Sequence, residues 1–247
     1  MITKTQAIVL RTVDFKESSL IATLFTRKHG TVAVIAKGAR RPKSKFAALL
    51  VPAQALEVVF YLKTTRSVQT LSDATPLVKL DSLRYDIEKM ALAITVMELS
   101  GQVLHENEVN EELFDFLLNL LQWMNGRVEV SRKMFPYIQL RILDRIGIGL
   151  QTDETLLSEV RSKGYINIQT GSFSAEPEGD QAILLSENQF EYLKQAVTSK
   201  KTSIFEKNLP NSELSELIEY LDRYIRYHVE GVQPRRSDEI FEKIINH

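Results

Sequence analysis

The sequence predicts an α+β protein in which a small barrel of five short strands precedes a helical domain. Two observations carry this. Apolar residues alternate with polar ones over the first 80 residues, and from Asp81 onward they recur at helical spacing. Charge divides at the same place: residues 1–80 hold 13 Lys and Arg against 4 Asp and Glu, net +9, whereas 81–247 hold 18 against 28, net −10. A formal net charge of −1 thus conceals two halves suited to different partners, or to each other.

Each strand is bounded by turn chemistry. Residues 6–15 are rich in β-branched types and end in the polar turn Asp14-Phe15-Lys16-Glu17. Residues 19–27 and 31–37 flank Lys28-His29-Gly30, a hairpin turn in which glycine supplies positive φ. Residues 49–62, broken by Pro52, give the strand LEVVFYL, and 67–71 a fifth. Five strands in about 70 residues, with no strong helix between most of them, suit a small antiparallel barrel of the oligonucleotide-binding type.

The helical part, 81–247, begins with 83–104, then 110–125 with Leu113, Leu117, Leu120, Leu121 and Met124 on one stripe. A third helix covers 130–146, with Pro136 near its start or at a kink. Residues 147–181 break the pattern with five glycines, and 165–173 read as a β-hairpin. Ser186 to Gln189 has capping-box spacing for a helix through Val197. A last helix spans 212–229, leaving a tail with Arg235 and Arg236.

Several chemistries are excluded. With no cysteine, disulfides, thiolate zinc sites and thiol catalysis are out. There is no phosphate-binding Gly-Lys-Ser/Thr loop, no dinucleotide fingerprint, no Gly-x-Ser-x-Gly elbow and no His-Glu-x-x-His. The four histidines are far apart, so the expectation is a noncatalytic binding protein without metal or cofactor. No apolar run reaches membrane-spanning length and no signal peptide opens the chain, which makes the cytoplasm the expected compartment.

What remains is Lys37-Gly38-Ala39-Arg40-Arg41-Pro42-Lys43-Ser44-Lys45, five cations in nine residues with no acid. Arg offers a planar fork to phosphate oxygens and Lys a mobile point charge. Pro42 breaks helix continuity, so the charges sit on an exposed loop between the third and fourth strands. Lys37, Arg40, Arg41, Lys43 and Lys45 are the candidate phosphate contacts, with Arg11, Arg27 and Lys28 supporting and Phe46 as a base-stacking ring. For Arg27, a solvated hairpin-end charge is an equal reading.

The run AIVLRTVDFKESSLIATLFTRKHGTVAVIAKGARRPKS followed by a helical body resembles the bacterial recombination mediators of the RecO family. The likeness is densest over residues 4–44, in Glu17-Ser18-Ser19, Leu24 to Arg27 with His29-Gly30, and Lys37 to Arg40. It implies a DNA repair protein that binds single- and double-stranded DNA and anneals strands. With RecR as partner, it would help RecA replace single-strand-binding protein. Many members carry a four-cysteine zinc site that would fall within 147–181. This chain lacks every cysteine, and its hairpin is expected to hold by side-chain packing. The acidic, apolar tail of single-strand-binding protein would need a cation-rimmed pocket, for which Arg127, Arg132, Lys133 and Arg141 are the candidates. An RNA-binding or ribosome-associated factor built on the same barrel is the alternative.

Overall fold

The computed structural model describes residues 1–152, 163–198, 204–205 and 208–244. They form two compact units, 1–130 with the described chain from Arg235 onward, and 131–234. The packing thus divides at residue 130, where the sequence pattern placed its divide at 80.

The first unit is built on five strands: β1 (Ile2–Phe15), β2 (Ser19–Thr26), β3 (Gly30–Ala36), β4 (Ala55–Tyr61) and β5 (Val68–Pro76). They close into a barrel in the order β1-β2-β3-β5-β4. All pairings are antiparallel except β3 with β5, so the expected all-antiparallel sheet is corrected at that seam. Closure needs a long β1, which pairs with β4 through its first half and β2 through its second. A bulge between Val9 and Arg11 lets it bend. Inward alternation fills the barrel with Ala7, Val9, Leu24, Val34, Val58, Phe60 and their neighbours. Each large side chain buried there stabilises by about 1.5–3 kcal/mol.

A short helix, α1 (Lys45–Leu49), sits between β3 and β4. Helices α2 (Asp81–Tyr85), α3 (Ile87–Val103) and α4 (Glu111–Gly126) follow the barrel. Asp86 caps α3 by accepting from the Glu88 and Lys89 amides, and Asn110 caps α4 through the Leu113 amide. Leu10 lies against Gly101 of α3, and Phe25 meets Phe114 of α4 edge to face at 5.7 Å, so β1 and β2 are covered from outside as well. Lys89, 2% exposed, donates to Ser82 Oγ (2.7 Å) and the Arg127 carbonyl (2.6 Å), tying α2, α3 and the end of α4 together. The expected tail contains a helix, α8 (Asp238–Ile244), which packs on α3 with Phe241 buried. Its start is held by Glu98, whose carboxylate accepts from the Arg236 and Ser237 amides at 2.8 and 2.9 Å.

The second unit holds α5 (Met134–Arg145), α6 (Glu187–Thr198), α7 (Asn211–His228) and a four-stranded sheet in the order β6-β8-β7-β9. Its strands are β6 (Gln151–Thr152), β7 (Tyr165–Asn167), β8 (Ser172–Ser174) and β9 (Ala182–Leu184). Pro136 lies in the first turn of α5, where its missing amide costs nothing. The capping box of α6 is formed: the Ser186 amide donates to Gln189 Oε1 and the Gln189 amide to Ser186 Oγ, at 3.0 and 3.3 Å. The β7–β8 hairpin is held by packing, Phe173 on Phe190 at 5.4 Å, and by a polar cluster. Buried Asn167 donates to Ser172 Oγ and Ser174 Oγ and accepts from the Glu178 amide (3.0, 2.6 and 2.7 Å). Part of the 147–181 segment lies outside the described residues.

Candidate nucleic-acid interface

The basic loop leaves β3 at Lys37 and is folded, with hydrogen bonds from Ala39 N to Ala36 O, Arg41 N to Gly38 O and Ser44 N to Arg41 O. Gly38 and Lys43 take positive φ, +70° and +67°. Glycine does so freely; for Lys43 the conformation costs about 1–2 kcal/mol, strain of the kind found at functional sites. Ala39 is fully buried, so the loop is pinned at its third residue.

The five cations do not behave alike. Lys37, Arg41 and Lys43 are exposed, and none is ion-paired among the described residues. Arg40, also exposed, is held by the β1–β2 turn: its amide donates to Ser18 O, its guanidinium to Lys16 O, and Nη2 lies 3.0 Å from Asp14 Oδ2. Lys45 is paired with Asp73 of β5, and its hydrogen bond, with that of the Ala74 amide, holds the Asp73 carboxyl below its ordinary pKa. Phe46 on α1 packs against the barrel core with Lys45 Nζ 5.6 Å from its ring, so its apolar face is largely turned inward.

The supporting residues separate from the loop. Arg11 is exposed on β1 and donates to Thr23 Oγ1 at 3.2 Å. Arg27 and Lys28 lie at the opposite end of β3 from Lys37, about 20 Å away at strand rise. Lys28 is exposed. Arg27 is half-buried, with Nη2 2.9 Å from Asp115 Oδ2 and Nε 3.2 Å from Glu111 Oε2, an ion pair too bent for a hydrogen bond. It therefore clamps the β2–β3 turn to α4. Gly30 completes the clamp: a Cβ there would lie 2.4 Å from the Glu108 carbonyl, and Thr31 Oγ1 donates to the His105 carbonyl. The Arg27 to Gly30 signature thus joins barrel to helix.

The arrangement also shows residues the sequence did not single out. Val13, Ile21, Ile35, Thr70 and Tyr61 are in register across all five strands on the outer face of the sheet. Val13 and Tyr61 are 51% and 44% exposed, and Tyr61 brings the one aromatic ring among them. The loop after β3 bounds this face on one side. On the other lies the β4–β5 loop with exposed Lys63 and Arg66. Its shape is set by Gln69, 5% exposed, which accepts from the Lys63 amide and donates to the Lys63 and Arg66 carbonyls. The signal was present in sequence as Lys63 and Arg66, but only register places them beside the same face.

The proposed cationic rim in the helical part does not assemble as one exposed cluster. Arg127 is exposed and stacks 5.1 Å over Trp123 in the first unit. Arg132 and Arg141, in the second, are only 4% and 9% exposed. Arg132 donates to Ser215 Oγ; Arg141 is bound to Asp144 and the Ala196 carbonyl and stacks over Tyr137. Lys133 is half-buried, its carbonyl accepting from Tyr192 OH, a phenol that burial pushes far above its ordinary pKa. Buried and bonded guanidiniums brace helices and are poor peptide ligands.

Among the described residues no group of three or more His, Asp or Glu could hold a metal, and no helix is long and apolar enough to cross a membrane.

Comparison with known proteins adds to this geometry. Residues 1–78 match the family described as recombination protein O N terminal, and residues 84–238 the one described as recombination protein O C terminal. A DNA repair protein RecO of Salinibacter ruber is 28% identical over 245 residues, 98% of this chain and 94% of that protein. That of Chloroherpeton thalassium is 29% identical over 99% of this chain and all of that protein. The Bacillus subtilis protein of the same name is 31% identical over 67% of this chain and 68% of its own.

Proposed function

The chain belongs to the RecO family of DNA repair proteins, and from that premise we propose that it is a recombination mediator without catalytic turnover. The observation that carries this is the partition of the basic loop. Three cations, Lys37, Arg41 and Lys43, stand free and outward at the edge of a solvent-facing apolar sheet, while their neighbours are spent on folding. Free Lys and Arg at the mouth of a small barrel neutralise phosphates without reading sequence. Bases unstacked from a single strand then rest on Ile21, Ile35 and Tyr61 between the two basic loops.

Neutralisation of this kind lets two polyanionic strands approach, which is the physical requirement for annealing. The partners of the proposed activity are single- and double-stranded DNA, RecR and single-strand-binding protein, with RecA acting downstream on the same DNA in the cytoplasm at the nucleoid. The test is annealing of complementary labelled strands, naked and coated with single-strand-binding protein. Acceleration at low salt that fades as salt rises supports the reading. No acceleration at any salt, or equal action on RNA alone, refutes it in favour of an RNA-binding role.

A further inference from the structure

Arg40 sits in the middle of the basic loop and is exposed, yet its amide and both terminal guanidinium nitrogens are engaged by the neighbouring β1–β2 turn. Its backbone amide donates to the Ser18 carbonyl at 2.9 Å, Nη1 to the Lys16 carbonyl at 3.3 Å, and Nη2 lies 3.0 Å from the Asp14 carboxylate. All three acceptors belong to the β1–β2 turn or its approach. We propose that Asp14 and Arg40 are a positioning pair: they brace the loop against that turn, and the brace presents Lys37, Arg41 and Lys43 to phosphate. This rests on the reading of the loop as the phosphate site.

Three features favour a brace. Both ends of the planar fork are occupied, one by a carbonyl, which is no mimic of a phosphate. The residue before it, Ala39, is fully buried and fixes the chain next to Arg40. The left-handed conformation of Lys43, a residue that adopts it only at a cost, marks a loop whose shape is imposed by its surroundings. The rival role for Asp14 is a stand-in anion that DNA displaces, freeing Arg40 for a phosphate. The two roles differ in sign. Removing the carboxylate charge weakens binding if it braces and strengthens binding if it competes.

The experiment titrates labelled single-stranded oligothymidylate with the full chain across a salt series, for wild type, Asp14→Asn, Arg40→Lys and Arg41→Ala, with a thermal melt of each. Asp14 is 65% exposed at its side chain, so Asp14→Asn is expected to melt as wild type does. The brace predicts that Asp14→Asn binds roughly twofold to fivefold more weakly, the range of an exposed ion pair, with the wild-type slope of log K against log salt. Arg40→Lys keeps the charge but loses the fork and shows the same loss at the same slope. Arg41→Ala, a direct contact, lowers the slope by ~0.7. Tighter binding or a steeper slope for Asp14→Asn, or wild-type affinity in both Asp14→Asn and Arg40→Lys, overturns the inference. Absence of salt-linked binding by wild type is a different result, and removes the phosphate site itself.

Discussion

Replacing Lys37, Arg41 and Lys43 together by Ala should change the salt dependence of DNA binding far more than the stability of the protein. The three side chains are exposed and make no ion pair among the described residues, so their loss leaves the fold's own interactions intact. Each phosphate they neutralise releases condensed cations, and on single strands each contact contributes ~0.7 to the slope of log K against log salt. Losing three lowers the slope by about two. Because the term scales with log salt, affinity falls about a hundredfold at ~0.1 M and converges on wild type near ~1 M. Fluorescence anisotropy with a labelled oligonucleotide reads both numbers. A wild-type slope, or a loss of affinity equal at every salt concentration, would refute the assignment.

Arg27→Ala breaks two partly exposed ion pairs to α4 and should cost about 1 kcal/mol in urea unfolding; a drop of ~0.7 in the DNA salt slope would instead make it a phosphate contact. Gly30→Ala places a methyl 2.4 Å from the Glu108 carbonyl at φ +62°, and should lose more than about 2 kcal/mol; wild-type stability would contradict the clamp. Asn167→Ala strands the Glu178 amide and should cost about 1–3 kcal/mol, while a strong chelator leaves wild-type melting unchanged; a chelator-induced fall in melting temperature would point to a metal. Burial pushes the Glu98 carboxyl up, but hydrogen bonds from Ser237 and the Arg236 amide outweigh it, leaving its pKa below the ordinary glutamate value. A depressed carboxyl pKa stabilises fully above the unfolded value and loses that contribution as pH falls through the folded one. The stability gap between wild type and Glu98→Gln, read by urea unfolding, should therefore be full at neutral pH and shrink as pH falls below the ordinary carboxylate range; a gap undiminished well below that range would argue otherwise.

The barrel was legible because alternation and turn residues fix strands locally, and Gly30 takes the positive φ its turn required. The parallel seam was not, since nothing in β3 or β5 encodes which strand closes the sheet. Helices α1 and α8 were missed for a related reason. At 5 and 7 residues they are too short for a period, and contacts far away in sequence hold them: Lys45 to Asp73, and Glu98 to the Arg236 amide. The same distance in sequence misled the reading of charge. Arg27 looks solvated until Glu111 and Asp115 are brought to it, and Arg132 and Arg141 look like a helix surface until Ser215 and the Ala196 carbonyl cover them. Sequence finds cations; the fold decides which are already spent.

The measurement closest to the central claim is photochemical cross-linking of the full chain to bromodeoxyuridine-substituted single-stranded DNA, followed by peptide mapping. The account predicts adducts in the β3–α1 loop, residues 37–44, and on the outer sheet face around Tyr61. Adducts confined to residues 131–244, or none under conditions of salt-linked binding, would contradict it.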